Sequence, residues 1–143
     1  MKVLSTILLV VVICSSCKKK NCCEPIGSIE GTWRMVLVKD NATGAVMLKP
    51  GFISRDVIIS FVASGALKGS FNGTTPSNVF GPDGYTLGND QAISMPVMTM
   101  TKVGENAWGR QFVDNIRNAD KYQVSGQRLN IRTVVKTLSF QRQ

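Results

Sequence analysis

The sequence predicts a mainly β domain with one helix, in which an antiparallel sheet curls into a partly open barrel. About seven or eight short segments alternate apolar and polar residues with a period of two, and turn residues separate them. One segment, at about residues 105–118, has instead the spacing of an amphipathic helix, and it precedes the last predicted strands. A length of 143 residues suits one domain with a core of its own.

The first predicted strands follow a short polar spacer. Residues 31–38, GTWRMVLV, place Trp33, Met35 and Leu37 on one face of a half-buried strand. A turn at DNATG and a short strand at residues 46–48 come next.

A β-hairpin is predicted over residues 56–71. Val57, Ile59 and Phe61 alternate along its first strand, ASGA supplies the turn, and LKGSF returns as the second strand.

Residues 72–91 are dense in glycine, asparagine, aspartate and proline, which predicts a loop and a small hairpin with PDG as its tightest turn. The segment AISMPVMTMT, residues 92–101, then regains period two. Pro96 within it indicates an edge strand or a break, because proline cannot donate a backbone hydrogen bond.

The predicted helix gathers four apolar residues on one face and leaves charged residues outside. The inward set is Trp108, Phe112, Val113 and Ile116, and the outward set is Arg110, Asp114 and Arg117. KYQV and LNIRT follow as two strands joined by a turn, and TLSF is the final strand, with Leu138 and Phe140 inward.

The N-terminus has the layout of a secretory signal. Lys2 precedes an apolar run at residues 3–13, which is too short to span a membrane. Small residues then precede Cys17, an arrangement that resembles the lipobox of bacterial lipoproteins. The resemblance implies cleavage before Cys17 and a thioether-linked lipid on its sulfur. The predicted divisions are a signal peptide at 1–16, a lipidated tether at 17–28 and a β domain at 29–143.

All four cysteines lie before residue 24. Cys14 and Cys17 also have the C-x-x-C spacing of redox sites, but their place at the end of an apolar leader favours lipid anchoring. A zinc site would have too few ligands, because the chain contains no histidine. Cys22 and Cys23 fit tether thiols, or an intermolecular disulfide in an oxidising compartment.

The charge has an uneven distribution. The chain carries +8, but residues 24–143 hold thirteen basic and nine acidic side chains, a net of +4, so a nucleic-acid partner is not expected. No catalytic, cofactor-binding or metal-binding residue is predicted. The available acids are Asp56, Asp83, Asp90 and Asp114; Asp83 and Asp90 flank the glycine-rich loop where calcium could bind, although their spacing is not that of an EF-hand.

Several segments together resemble the META domain of HslJ-like bacterial envelope proteins. They are Gly31-Thr32-Trp33, Ile58 to Phe61, Gly69 to Asn72, MTMT at 98–101, Phe112 and YQVSGQRLNI at 122–131. The family commonly has cysteines near Phe71 and near Lys102 or Val103, and their joint absence here matches the loss of one disulfide. Redox properties of the family therefore do not carry over.

A second resemblance is to small lipocalin-like lipoproteins, whose Gly-x-Trp opening fits Gly31-Thr32-Trp33. The position of the predicted helix, before at least two strands, favours the META domain. The expected protein is a lipid-anchored, non-catalytic component of the bacterial envelope, located in the outer membrane, with a binding or stress-tolerance role. Its partners would be the membrane, through the lipid, and a protein or small ligand; the alternative is a lipocalin-like carrier of a small apolar ligand.

Overall fold

A computed structural model describes residues 27–143. The elements in chain order are β1 Gly31–Asp40, β2 Val46–Leu48, β3 Ile58–Gly65, β4 Lys68–Thr74, β5 Val79–Leu87, a 3-10 turn Asn89–Gln91, β6 Ile93–Ser94, α1 Ala107–Ile116, β7 Lys121–Ser125, β8 Arg128–Arg132 and β9 Lys136–Arg142. The predicted signal peptide and the lipidation site Cys17 lie outside the described residues.

The strands form one antiparallel sheet that nearly closes into a barrel, as predicted. Its order is β6-β5-β4-β3-β1-β9-β8-β7, with β2 paired to β1 next to β3. The seam between β6 and β7 is only partly bridged, by a pairing of Ala92 with Lys121 and a hydrogen bond from Ile93 N to Asp120 O of 3.1 Å. The predicted partly open barrel is therefore confirmed.

Inward positions of the strands supply the core, and the predicted alternation is confirmed for most of them. Val57, Ile59 and Phe61 are buried, and so are Leu138 and Phe140 on β9. The predicted hairpin forms between β3 and β4, although β3 continues through Gly65 and the turn consists of residues 66 and 67.

The predicted inward face of the first strand is wrong at Leu37. Trp33 and Met35 are buried, but the pairing of β1 with β9 shifts register between Met35 and Leu37, which indicates a β-bulge. A bulge inserts one extra residue and so reverses the alternation beyond it. Val38 is consequently buried in place of Leu37, and Lys39 points outward.

The predicted turn at PDG is also wrong, because these residues lie inside strand β5. The glycines that suggested turns instead allow backbones to approach closely. A Cβ on Gly73 would lie 2.0 Å from Ile58 O, and one on Gly81 would lie 2.4 Å from Phe71 O. Phe80 and Tyr85 both point inward from β5, so burial of aromatic rings favours the strand.

The helix prediction is confirmed in position and orientation. Trp108, Phe112 and Ile116 are fully buried, Val113 is partly buried, and the predicted charged residues on the opposite face are exposed. Asn106 caps the helix by accepting a hydrogen bond from Gly109 N at 2.9 Å. The two segments after the helix are paired strands, also as predicted, with Ile131 of β8 among the fully buried residues.

Candidate functional site

The interior of the barrel is filled by side chains. A continuous series of aromatic rings, with centroids 5.2–6.4 Å apart, crosses the core in the order Tyr85, Phe61, Phe71, Phe80, Phe112, Phe140. The helix contributes Phe112 to this series, which joins α1 to the inner faces of β5 and β9. A binding site must therefore lie at an end or on the surface of the barrel.

A cavity of about 820 Å³ lies at the end of the barrel where the seam is open. We call it the mouth, and it is lined by three segments and two tyrosines: residues 27–30 before β1, the β3–β4 turn with Leu67, residues 87–91 after β5, and the side chains of Tyr85 and Tyr122. Small-molecule sites commonly have this size, and the lining of the mouth combines polar groups with apolar side chains.

Tyr85 is held in the mouth by its neighbours in the sheet. It is 3% exposed, and its ring meets the ring of Phe61 edge-on, with centroids 5.3 Å apart. Gly69 is its cross-strand partner on β4, and a Cβ on that glycine would lie 2.6 Å from the phenolic oxygen. Only glycine at position 69 therefore leaves room for the Tyr85 phenol.

Tyr122 enters the mouth from β7, where it pairs with Ile131 and is 8% exposed. Burial raises the pKa of Tyr122 above its usual value, and burial, with the negative charge of Glu30, raises the pKa of Tyr85. Neither phenolic oxygen is hydrogen-bonded to another residue of the described range 27–143. Both phenols thus remain protonated at neutral pH and can donate a hydrogen bond to a bound molecule.

The rim of the mouth carries two acidic residues, Glu30 and Asp90, and among residues 27–143 no lysine or arginine lines it. Asp90 and Gln91 have φ angles of 55° and 62°, which non-glycine residues adopt rarely. Lys121 Nζ donates to Asp90 O at 2.8 Å and helps to hold this turn. Backbone conformations of this kind are concentrated at functional sites, which is consistent with a binding site at the mouth.

The acids that could have bound calcium are not brought together as a metal site. Asp83 accepts hydrogen bonds from Thr99 N at 2.6 Å and Thr99 Oγ1 at 3.0 Å, so it attaches residue 99 to β5. Asp90 lies on the rim of the mouth, while Asp114 is exposed on α1. Within residues 27–143 no group of three or more potential metal-ligating side chains exists.

The two tyrosines of the mouth were not singled out as site residues from the sequence. Tyr122 lies in the predicted strand KYQV and points inward, but a period-two position is the same for a core residue as for a cavity residue. Tyr85 stood in a segment interpreted as loop. The available signal was that both tyrosines of the chain have polar tips, which seldom lie in a closed core without a partner.

Over residues 27–143, fold and site together define a small, nearly closed antiparallel β-barrel with one helix and a cavity at its open end. A crystal structure of a DUF4847 family protein from Bacteroides vulgatus has a similar fold, with a TM-score of 0.58, 16% identity, and coverage of 80% of this chain and 93% of that chain. No family model matches this chain, and no curated protein matches its sequence significantly. In the described part of the chain, no helix combines the length and apolarity needed to cross a membrane.

Proposed function

We propose that this chain is a lipid-anchored protein of the bacterial cell envelope whose META-like domain binds a ligand or partner at the mouth. The observation that carries the proposal is the pair of phenols of Tyr85 and Tyr122, which line the cavity, are protonated at neutral pH and form no hydrogen bond to another residue of the described range. Each phenol can therefore donate a hydrogen bond to a molecule that enters the cavity. A role in envelope stress rests on the family resemblance alone.

Two features favour the META-like proposal over a lipocalin-like carrier of a small apolar ligand. The helix precedes paired strands β7, β8 and β9, whereas the lipocalin helix follows the main barrel strands. The aromatic series also fills the interior in which a carrier would hold its ligand. Binding at the rim, rather than inside the barrel, is consistent with both features.

The proposal includes no catalytic step. Histidine is absent from the sequence, and the Ser28 hydroxyl in the mouth accepts a hydrogen bond from the backbone N–H of Glu30 at 3.1 Å instead of donating to a base among the described residues. Shape and hydrogen bonding are the properties that this cavity offers to a bound molecule.

The anchor proposal places lipid on Cys17, and we expect the outer membrane as the location. The described chain begins at Gly27, which lines the mouth, and ten residues of extended chain span at most about 35 Å. The tether would therefore hold the mouth close to the bilayer. The variant Cys17→Ala should lose metabolic labelling by a fatty acid, and unchanged labelling would contradict the anchor.

Binding at the mouth can be tested by photo-crosslinking in living cells. A photoreactive amino acid at Leu67, on the rim and 59% exposed, should form a specific adduct with the partner. The same amino acid at Val79, which is 58% exposed and lies away from the mouth, is the matched control. Adducts of equal yield at both positions, or none at Leu67, would contradict a partner at the mouth.

Native mass spectrometry separates this proposal from the carrier alternative. Protein purified from its own envelope should not retain an apolar lipid, because the barrel interior is filled. The variant Tyr122→Phe keeps the aromatic ring but loses the hydrogen-bond donor, so it should lose any ligand that the phenol holds. The control variant Gln123→Ala should keep that ligand, because the Gln123 side chain points outward. A lipid retained equally by both variants would favour the carrier.

A further inference from the structure

The outer face of β1, β9, β8 and β7 bears two rows of basic side chains that the strand register aligns. In one row Arg34 of β1 lies opposite Gln141 of β9, and Gln141 lies opposite Arg128 of β8. In the other row Lys39 of β1 lies opposite Thr137 of β9, and Thr137 lies opposite Arg132 of β8. Arg132 in turn lies opposite Lys121 of β7. We call this surface the basic face.

The residues between the two basic rows are uncharged. Leu37, Ser139, Asn130 and Gln123 form the middle row, in which Ser139 is buried and the other three are at least partly exposed. Strands lie about 4.8 Å apart and alternate residues about 6.7 Å apart, so the face measures about 14 by 13 Å. No acidic side chain occupies any of its aligned positions.

The cations of this face are largely uncompensated. The ion pairs within residues 27–143 are Lys49 with Asp56 and Lys136 with Asp40, and neither involves a basic residue of the face. Lys136 lowers the pKa of the Asp40 carboxyl well below its usual range, so that acid is already neutralised. Of the basic residues of the face, Lys121 donates a hydrogen bond from its Nζ to the backbone carbonyl of Asp90.

The basic face is also concave and rich in hydrogen-bond donors. A trough of about 510 Å³ runs over it and is lined by Lys39, Arg128, Arg132 and Asn130 among others. Asn130 Oδ1 accepts from Ser139 Oγ at 2.7 Å, which leaves the amide nitrogen of Asn130 to donate outward. Guanidinium groups and an amide donor around a trough form a surface suited to phosphate groups.

We propose that the basic face docks on the anionic headgroups of the membrane that holds the lipid anchor. The position of the N-terminal segment favours a membrane over another polyanion: Arg142 donates to Ser28 O at 3.2 Å and to Glu30 O at 2.9 Å, which places the start of the described chain at the edge of the face. The remaining residues back to Cys17 span at most about 35 Å, so the anchor keeps the face within reach of the bilayer. Lys18, Lys19 and Lys20 add charge beside the anchor.

The inference rests on the proposed anchor and deepens it by assigning the domain an orientation. It is tested by lysine footprinting of the full chain, purified with its lipid and reconstituted in phosphatidylcholine vesicles with or without about 30% phosphatidylglycerol. A water-soluble acetylating reagent modifies exposed lysines, and mass spectrometry gives the extent at each one. Lys39 reports the basic face, and Lys102, also exposed, reports a loop away from it.

Acetylation of Lys39 should fall about threefold or more on the anionic vesicles, because each basic residue near such a surface contributes about 1 kcal/mol. Protection should disappear at about 0.5 M salt, which screens the attraction. The double variant Arg128→Gln with Arg132→Gln should lose the protection, whereas Arg55→Gln with Lys68→Gln, which removes equal charge elsewhere, should keep it.

Equal acetylation of Lys39 on both vesicle types would overturn the inference, as would equal protection of Lys102, which would indicate attraction by net charge alone. Stronger protection of Lys39 by dissolved heparin than by anionic vesicles would assign the face to an anionic polymer and would also overturn it. Failure of the anchor has a separate signature, because the protein would then not float with pure phosphatidylcholine vesicles.

Discussion

Truncation of Phe112 to alanine tests how the helix stabilises the barrel. Phe112 is 0% exposed, and the centroid of its ring lies 5.2 Å from that of Phe80 and 6.4 Å from that of Phe140. Replacing a buried phenylalanine with alanine costs about 3–5 kcal/mol, and each lost aromatic pair adds about 0.5–1.5 kcal/mol to simple burial. We therefore expect a loss in the upper part of the first range.

Urea unfolding followed by tryptophan fluorescence measures this loss, because Trp33 and Trp108 are both fully buried. The free energy of unfolding should fall by about 4–5 kcal/mol, and the melting temperature by about 10–25 °C for a domain of this size. Asp114→Ala is the matched control on the exposed face of the same helix and should change stability by less than about 0.5 kcal/mol.

A loss below about 1 kcal/mol for Phe112→Ala would refute the packing of α1 against the barrel core. Arg117→Ala should lie between the two variants, because its guanidinium donates to Met98 O at 2.9 Å and such a bond contributes about 1 kcal/mol. An effect of Arg117→Ala as large as that of Phe112→Ala would mean that hydrogen bonding, rather than burial, attaches the helix.

Two further predictions concern a glycine in the helix and the tyrosines of the mouth. Gly109→Ala should destabilise the domain by about 1–3 kcal/mol, although alanine usually favours a helix. The added Cβ would lie 2.3 Å from the Glu105 carboxylate, which is held by hydrogen bonds. The control is Gly104→Ala, whose Cβ would have no atom within 4 Å, and it should leave stability unchanged in the same urea titration. Tyr85 and Tyr122 are the two tyrosines of the chain, so ultraviolet titration should show both ionising above pH 10. Since the folded pKa is raised, stability should decline as pH rises above about 10, and ionisation at the usual pH would contradict burial of the phenols.

The sequence by itself determined the class of fold and the place of its helix. Period-two alternation identified the strand with Val57, Ile59 and Phe61 on its buried face, and helical spacing identified the buried face with Trp108 and Phe112. These signals are local, because burial of one face of an element imposes its own period on the residues of that element. Pro96 likewise indicated an edge strand or a break, and β6 is a short strand at the end of the sheet order that stops at Ser94.

The tertiary structure alone decided the features that depend on a neighbouring strand. The bulge after Met35 appears in the register with β9 and moves Leu37 and Lys39 to the outer face, where Lys39 joins the basic row. The glycines at 73 and 81 fit close backbone contacts with other strands, although in isolation they indicate turns. Local pattern cannot distinguish these cases, because the deciding contact comes from residues distant in the chain.

Neither the mouth nor the basic face can be predicted from local sequence pattern, because each one joins residues that are distant in the chain. The mouth combines Tyr85 and Tyr122, which are far apart in sequence and meet only because the sheet curls until β6 and β7 approach each other. The basic face requires the pairing of β1, β9 and β8 to align Arg34 with Arg128, and Lys39 with Arg132, and the pairing of β8 with β7 to add Lys121. The sequence supplies the residue types and their inward or outward direction, whereas closure and register, which are set by packing over the whole barrel, decide which of those residues become neighbours.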